Sequence, residues 1–404
     1  MALSVRLAVL VVLALALAGQ LWGDDSEHST ASPIVRSSSE ADRPIVDFLH
    51  KAVRLKRTLD DRGFSGNLGF VNDWSSKFAG GASSTGTINR FSLDVSLTLD
   101  TEKSIGWIGG TGFFRVKNHV GENGGDYVGD AQGFSNIDDV SRTRLYELWY
   151  EQRLAEGRFR FKGGKIDANS EFAVVRVASD FLNSSMGYSP TILALPTYPE
   201  PKPGVNAFVV PRQHYRAGAG WFRVADGLDM LIVEGGRDWR IPHAGLDGRL
   251  SLGVWRLTGS IPCFDGDELS STQGFYLVGE QSVWSHSRPE PAGEQRLSLF
   301  AQYGTANGDV SRFTRHIGAG FVLNGLLDSR SHDAFGMALT TVRFTPVPNA
   351  GFQYPSELAT EAYYKLTLGR YFSLVPDVQF IHHPGGQMSL QDAVVFTPRI
   401  NVSF

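Results

Sequence analysis

The stretch Arg90–Asp100, RFSLDVSLTLD, alternates without a break. Phe91, Leu93, Val95, Leu97 and Leu99 are apolar, and Ser92, Asp94, Ser96, Thr98 and Asp100 between them are polar. A period of two makes a strand with one oily face and one wet face. The pattern returns in RLSLFAQY (296–303), HIGAGFVLN (316–324) and VVFTPRINVSF (394–404). From Phe64 onward, strand candidates of about 9 to 14 residues follow one another, and a tilted transmembrane β-strand needs about 9–11. Fifteen are clear, and Val205–Pro211 has room for another. A barrel with both chain ends on one side requires an even number, so sixteen are expected. Pro398 lies in the last strand, where a missing N–H is damaging unless a bulge absorbs it.

The connections separate by length. Long links are expected over about 72–86, 118–141, 169–203 and 345–357 and at HHPGGQMSLQD, with tight ones at DTEKS, LAEG and GR. Alternation of long loops with short turns is a mark of outer-membrane barrels. It blurs mid-chain, where ADG near Gly227 and NGD near Gly308 come out short. A soluble fold would have to match two oily sheet faces and protect two sheet edges. A closed barrel has no edge and leaves its apolar face to lipid. The expected fold is therefore all-β: a transmembrane antiparallel β-barrel of sixteen strands over 64–404.

Composition agrees. Glycine is raised to 45 of 404 residues, against a usual share of ~7%, without a Gly-X-Y period, as strand-and-turn architecture demands. A formal net charge of −4 points to no nucleic-acid partner. The single cysteine, Cys263, excludes an intramolecular disulfide and a cysteine-only metal site. Residues 1–23 are expected to be a signal peptide: Arg6, an apolar run from Leu7 to Leu17, then ALA at 16–18, with cleavage after Ala18 or Gly23 both open. Residues 24–44 are expected to be a flexible linker. Residues 45–63 have helical spacing and are expected to be a short amphipathic helix on the periplasmic side.

Alternation also nominates the side chains that face the lumen. These are Arg90, Asp94 and Ser96 in one strand, and Phe113, Arg115 and Lys117 in the next. Glu147, Trp149 and Glu151 follow, with Tyr146, Leu148 and Tyr150 facing out. Arg158, Arg160 and Lys162 come next, and the Gly163–Gly164 pair is expected to bulge and reset the register toward Lys165 and Asp167. Signs are mixed across neighbouring walls, which suits neutral polar solutes better than ions. Arg115, Glu147, Trp149 and Lys162 are the expected members of a constriction. Asn169, Asn183 and Tyr198 are nominated from the very long link after Asp167, which either folds into the pore or caps its mouth.

RTRLYELWYEQRL (142–154), GRFRFKGGKIDANSEFA (157–173) and FLNSS (181–185) resemble, in order and spacing, the carbohydrate-selective porin family (OprB-like). RLKRTLDDRG (54–63), TYPEPKPG (197–204) and EAYYKLTLGRYFSLVPDVQFIHHPGG (361–386) extend the resemblance to nearly the whole mature chain. The link 24–44 and the proline-rich 187–203 depart from the pattern. The resemblance implies a bacterial outer membrane, sixteen strands and passive diffusion of carbohydrates. The terminal Phe404 is similar to the aromatic by which barrel-assembly machinery recognises its clients. A homotrimer is the oligomeric expectation, although no motif encodes it. The alternatives are a general or ion-preferring porin on the same barrel, and a soluble exported sugar-binding or structural β protein. An enzyme is not expected. There is no G-x-S-x-G elbow, the ten histidines are scattered, and basic neighbours keep Glu147 and Glu151 from serving as a general acid. No cofactor or metal is expected; GENGGDYVGD is read as a solvated loop ahead of a loose Ca²⁺ site at Asp126 and Asp130.

Overall fold

The computed structural model describes residues 58–84, 86–287 and 294–404. Sixteen antiparallel strands form one closed barrel in which each pairs with its sequence neighbours. They are β1 (Phe64–Ala79), β2 (Thr87–Asp100), β3 (Gly110–Gly121), β4 (Arg142–Leu154), β5 (Phe159–Ile166), β6 (Lys202–Arg212), β7 (Tyr215–Ala225) and β8 (Leu228–Ile241). The second half comprises β9 (Leu246–Pro262), β10 (Glu268–Ser287), β11 (Glu294–Thr305), β12 (Phe313–Asn324), β13 (Ala334–Phe344), β14 (Ser356–Leu368), β15 (Phe372–His382) and β16 (Ala393–Ser403). β6 is the strand for which the sequence only left room. β1 closes on β16, with Gly69 opposite Ser403 and Asp73 opposite Arg399. Residues 58–61 are helical and 62–63 form a turn; residues 45–57 of the expected helix, the signal peptide and the linker lie outside the described residues.

The question posed by Arg90–Asp100 is settled by what covers the oily face. Leu97, Phe114, Leu148, Phe161, Trp221, Leu231, Leu252, Phe275, Leu299, Ile317, Leu339 and Val378 stand exposed on twelve different strands, and no strand among the described residues lies outside the barrel. An apolar band this continuous has hydrocarbon as its solvent. Val254, 53% exposed near the middle of β9, gives a test. Val254→Arg should destabilise the barrel by about 2–4 kcal/mol, read as a shift of the urea midpoint for refolding into lipid vesicles.

Loops 1 to 8 are numbered along the chain at the end opposite the termini. Loop 1 is only 80–86, not the expected 72–86, because β1 runs on to Ala79. Loop 2 (122–141) and loop 3 (167–201) are long, whereas loops 4 (226–227) and 5 (263–267) are tight. Pro398 has an explanation in register. It lies opposite Pro376 on β15 in an unbroken ladder, and the gaps fall on the far sides. No β1 partner lies between Ser76↔Phe396 and Asp73↔Arg399, and no β14–β15 pair lies between Tyr363↔Asp377 and Leu366↔Leu374. Each proline interrupts only its outer ladder, so the seam they share stays intact.

Candidate functional site

Loop 3 folds into the lumen and does not cap it. Its Phe172, Val175, Phe181, Leu182, Met186 and Ile192 pack with Phe208, Phe222, Met230, Ile232, Trp255, Tyr276 and Phe300 of the inner wall. Each fully buried side chain of this size contributes about 1.5–3 kcal/mol. A folded-in loop has main-chain N–H groups that need partners away from water. Wall carboxylates supply them: Ala173 N donates to Glu234 at 2.8 Å, Val177 N to Glu280 at 2.7 Å, and Leu182 N and Asn183 N to Glu361, the latter at 3.0 Å. Gln302 donates back to the Ser185 and Met186 carbonyls at 2.6 and 3.0 Å. Loop 2 folds in beside loop 3. Glu357 takes the N–H groups of Ala131 and Gln132 at 2.8 and 3.1 Å, and Asn136 N donates to the Leu182 carbonyl at 2.7 Å.

The passage left open runs between loop 3 and the wall of β2–β5. Arg115 joins Asp94 at 3.0 Å to Glu147 at 3.2 Å, and Lys117 meets Asp94 at 2.6 Å. Trp149 donates its indole N–H to Glu147 at 3.2 Å and stacks on Phe113 with centroids 4.8 Å apart. Lys162 Nζ lies 4.0 Å above the Trp149 ring and pairs with Glu171 of loop 3. Arg160 bridges Glu151 at 3.1 Å and Glu171 at 2.6 Å. The expected constriction set is therefore assembled in one place. The charges balance in pairs, but they are not equally presented. Arg115, Arg160 and Lys117 are 33, 25 and 19% exposed, against 13% for Asp94 and 4–7% for Glu147, Glu151 and Glu171. The more exposed groups here are cationic donors beside an aromatic shelf, and these carboxylates are the more buried.

Several nominated residues stand elsewhere. Tyr146 faces in, not out, because β4 carries a bulge. Arg115 opposes Glu147 while Val116 opposes Leu145, so Tyr146 is the extra residue and joins Glu147 on the lumen side. Its hydroxyl donates to Asp167 at 2.5 Å. The Gly163–Gly164 pair does not bulge; its ladders to β4 and β6 run without a shift. Register therefore leaves Lys165 on the face opposite Lys162 and Ile166, where its ammonium donates to the Leu145 carbonyl at 2.8 Å. Gly164 has a different use. At φ +141°, a Cβ there would sit 2.6 Å from the Cα of Trp149, so glycine lets the shelf strand pass close. Arg90 points inward but is fully buried beneath loop 2, paired with Asp138 at 2.5 Å and lying over the Phe134 ring at 4.7 Å. Burial pushes the Asp138 carboxyl up to about 6, with Arg90 opposing the shift. Asn183 is buried too. It caps a short helix, Ser184–Gly187, and donates to Gln379 at 3.2 Å.

Asp167, Asn169 and Tyr198 do reach the passage. With Arg115, Lys117 and Tyr146 they line a chamber of about 380 Å³ above the shelf. Burial raises the Tyr198 phenol, so it stays neutral and donates to the Ile137 carbonyl at 2.7 Å. GENGGDYVGD, read as solvated, is instead partly packed. It contains the helical turn Gly124–Val128, whose Tyr127 and Val128 are buried against Ile88 and Val395. No group of three or more metal-ligating side chains occurs among the described residues.

Comparison with known proteins places this geometry in context. A family model described as carbohydrate-selective porin, OprB family, matches residues 85–227 and 264–404. The chain is similar to Porin B of Pseudomonas aeruginosa, 23% identical over 414 residues, covering 86% of this chain and 89% of that protein. It is similar in part to Porin AaxA of Chlamydia muridarum, 28% identical over 165 residues, 40% of this chain and 32% of that one. Among solved structures, the high-pH structure of Pseudomonas putida OprB superposes with a TM-score of 0.77 at 17% identity, covering 88% of this chain and 97% of that chain. The low-pH structure gives 0.61 at 18% identity, with the same coverage. Those two likenesses establish the shared barrel.

Proposed function

Because the chain belongs to the carbohydrate-selective porin, OprB, family, we propose that its solutes cross the constriction by sliding over the Phe113–Trp149 shelf while Arg115, Lys117 and Arg160 donate to their hydroxyls. The protein is an outer-membrane porin for carbohydrates, and diffusion through it is passive. A sugar ring offers a flat C–H face to an aromatic plane and a rim of hydroxyl acceptors to cations. The observation that carries the reading is the exposure of the cations beside a stacked aromatic pair, with their counter-charges the more buried. Asp167, Asn169 and Tyr198 orient the solute in the chamber above. Weak contact is required, since a tight site would hold the sugar and stop the flow.

Proteoliposomes test this directly. Swelling rates for glucose should exceed those for a neutral amino acid of smaller size, and glucose should lower ion current in planar bilayers. Equal ranking by size alone, with no effect on current, would leave a general porin. We further propose that barrel-assembly machinery reads Phe404, whose ring stacks on Tyr371 at 5.2 Å and whose backbone pairs with Leu68 across the closing seam. A homotrimer fits an outer-membrane porin of this family, and native mass spectrometry in detergent would show it as three chains.

A further inference from the structure

Loop 3 leaves open space on both its sides, and the two spaces share one residue. The chamber above it, of about 380 Å³, holds Arg115 and Tyr198. A larger one, of about 800 Å³, lies on the terminus side, bounded by loop 3, β14, β15 and β16. Ser179 lines both. It is exposed although Ala178 and Phe181 around it are buried. An exposed side chain at the centre of a barrel marks the water path, so solute leaving the shelf passes Ser179.

The inner chamber has its own polar wall. Lys365 of β14 reaches Asp180 of loop 3 at 2.8 Å, and both stay 29% exposed. An ammonium so held has further N–H donors, and the carboxylate has a second oxygen. Ser373 and Asn401 stand across from them, the amide donating to the hydroxyl at 3.2 Å. Arg370, His332 and Arg399, the last held by Asp73 at 2.6 Å, line it as well. The Lys365–Asp180 pair among hydroxyls and an amide matches the vicinal hydroxyls of a neutral sugar. We propose that this chamber is a second carbohydrate subsite, which receives the sugar past Ser179 before it leaves at the terminus side. The inference rests on the carbohydrate-porin reading. Two weak sites in series keep occupancy high at the narrow point without deepening either well.

The test is sugar block in bilayers with channels of known orientation. In Asp180→Asn/Lys365→Met, which removes both charges together, the half-blocking glucose concentration from the terminus side should rise about fivefold, the loss of roughly one hydrogen bond. From the loop side it should stay within about twofold of wild type. An unchanged value from the terminus side, with wild-type block intact, overturns the second subsite alone; no block in the wild type overturns the sugar reading and this one together. Separately, Ser179→Cys in a Cys263→Ser background should react with a bulky methanethiosulfonate from either side and lose most of its conductance. A cysteine that resists labelling from both sides, or one that labels fully with conductance unchanged, overturns the passage at Ser179.

Discussion

Releasing loop 3 should raise single-channel conductance severalfold and abolish sugar block in the double variant Glu280→Ala/Glu361→Ala. Those two carboxylates accept three loop N–H groups, from Val177, Leu182 and Asn183. A buried donor left without a partner costs about 1–3 kcal/mol, so three of them cost about 3–9 kcal/mol. That is a large share of the ~9–18 kcal/mol that the six apolar side chains contribute to seating the loop. Arg249 adds to the strain, since Glu280 is its partner at 3.2 Å while it also donates to the Val174 carbonyl at 2.8 Å. The loop then spends time off the wall, and the passage takes the width of the barrel. Unchanged heat-modifiable migration on gels separates this outcome from misfolding. A double variant that conducts like wild type would mean that apolar packing alone holds the loop.

Why those acids escaped the sequence reading is instructive. Alternation identified strands well wherever one face meets lipid and the other meets water, as in Arg90–Asp100. It weakens where loop 3 covers the inner wall, because both faces are then dry. Met230, Leu231, Ile232 and Val233 run apolar without a gap: Leu231 and Val233 stand on the lipid face, while Met230 and Ile232 are fully buried beneath the loop. A two-sided apolar strand interrupted by a lone acid, Glu234, was the readable sign of a covered wall with a main-chain acceptor in it. The β4 bulge had no comparable sign. Nothing in RLYELW distinguishes a strand that seats Tyr146 inward from one that keeps strict alternation, since the extra residue is defined by pairing with Val116 and Arg115. Arg90 and Asn183 show a third limit. Period two tells which side of the wall a residue occupies, but the fold of loops 2 and 3 decides whether water or solute ever reaches it.

The constriction itself was legible because its members lie just past the β4 bulge, where alternation from Glu147 to Glu151 runs unbroken. Arg115, Glu147, Trp149 and Lys162 contact one another across neighbouring strands, β3 to β4 to β5. What the sequence did not disclose is the unequal presentation of the two signs. Loop 3 brings Glu171 against Arg160 and Lys162 and leaves it only 7% exposed, while its half-buried Asp167 lines the chamber with Arg115 and Lys117. The mixed charge seen in the strands therefore becomes a donor surface in the folded channel.

That surface makes Trp149→Ala the substitution with the largest expected effect on the solute and a small one on the barrel. The indole stacks on Phe113, accepts Lys162 over its face at 4.0 Å and donates to Glu147, yet it is only half-buried on the lumen side. Removing it takes away the plane for the sugar's C–H face and loosens both flanking charges. A loss of about 1.4 kcal/mol, typical of an aromatic contact, is a tenfold rise in the half-blocking sugar concentration. Ion conductance should rise only modestly, because Arg115 and Arg160 keep their carboxylate partners and loop 3 keeps its anchors. Trp149→Phe restores a plane without the N–H, so it should recover most of the block if stacking is the operative contact. Should Trp149→Phe behave like Trp149→Ala, the hydrogen bond that positions Glu147 beside Arg115 would be the part that matters, and the shelf would act through its charges and not through its ring.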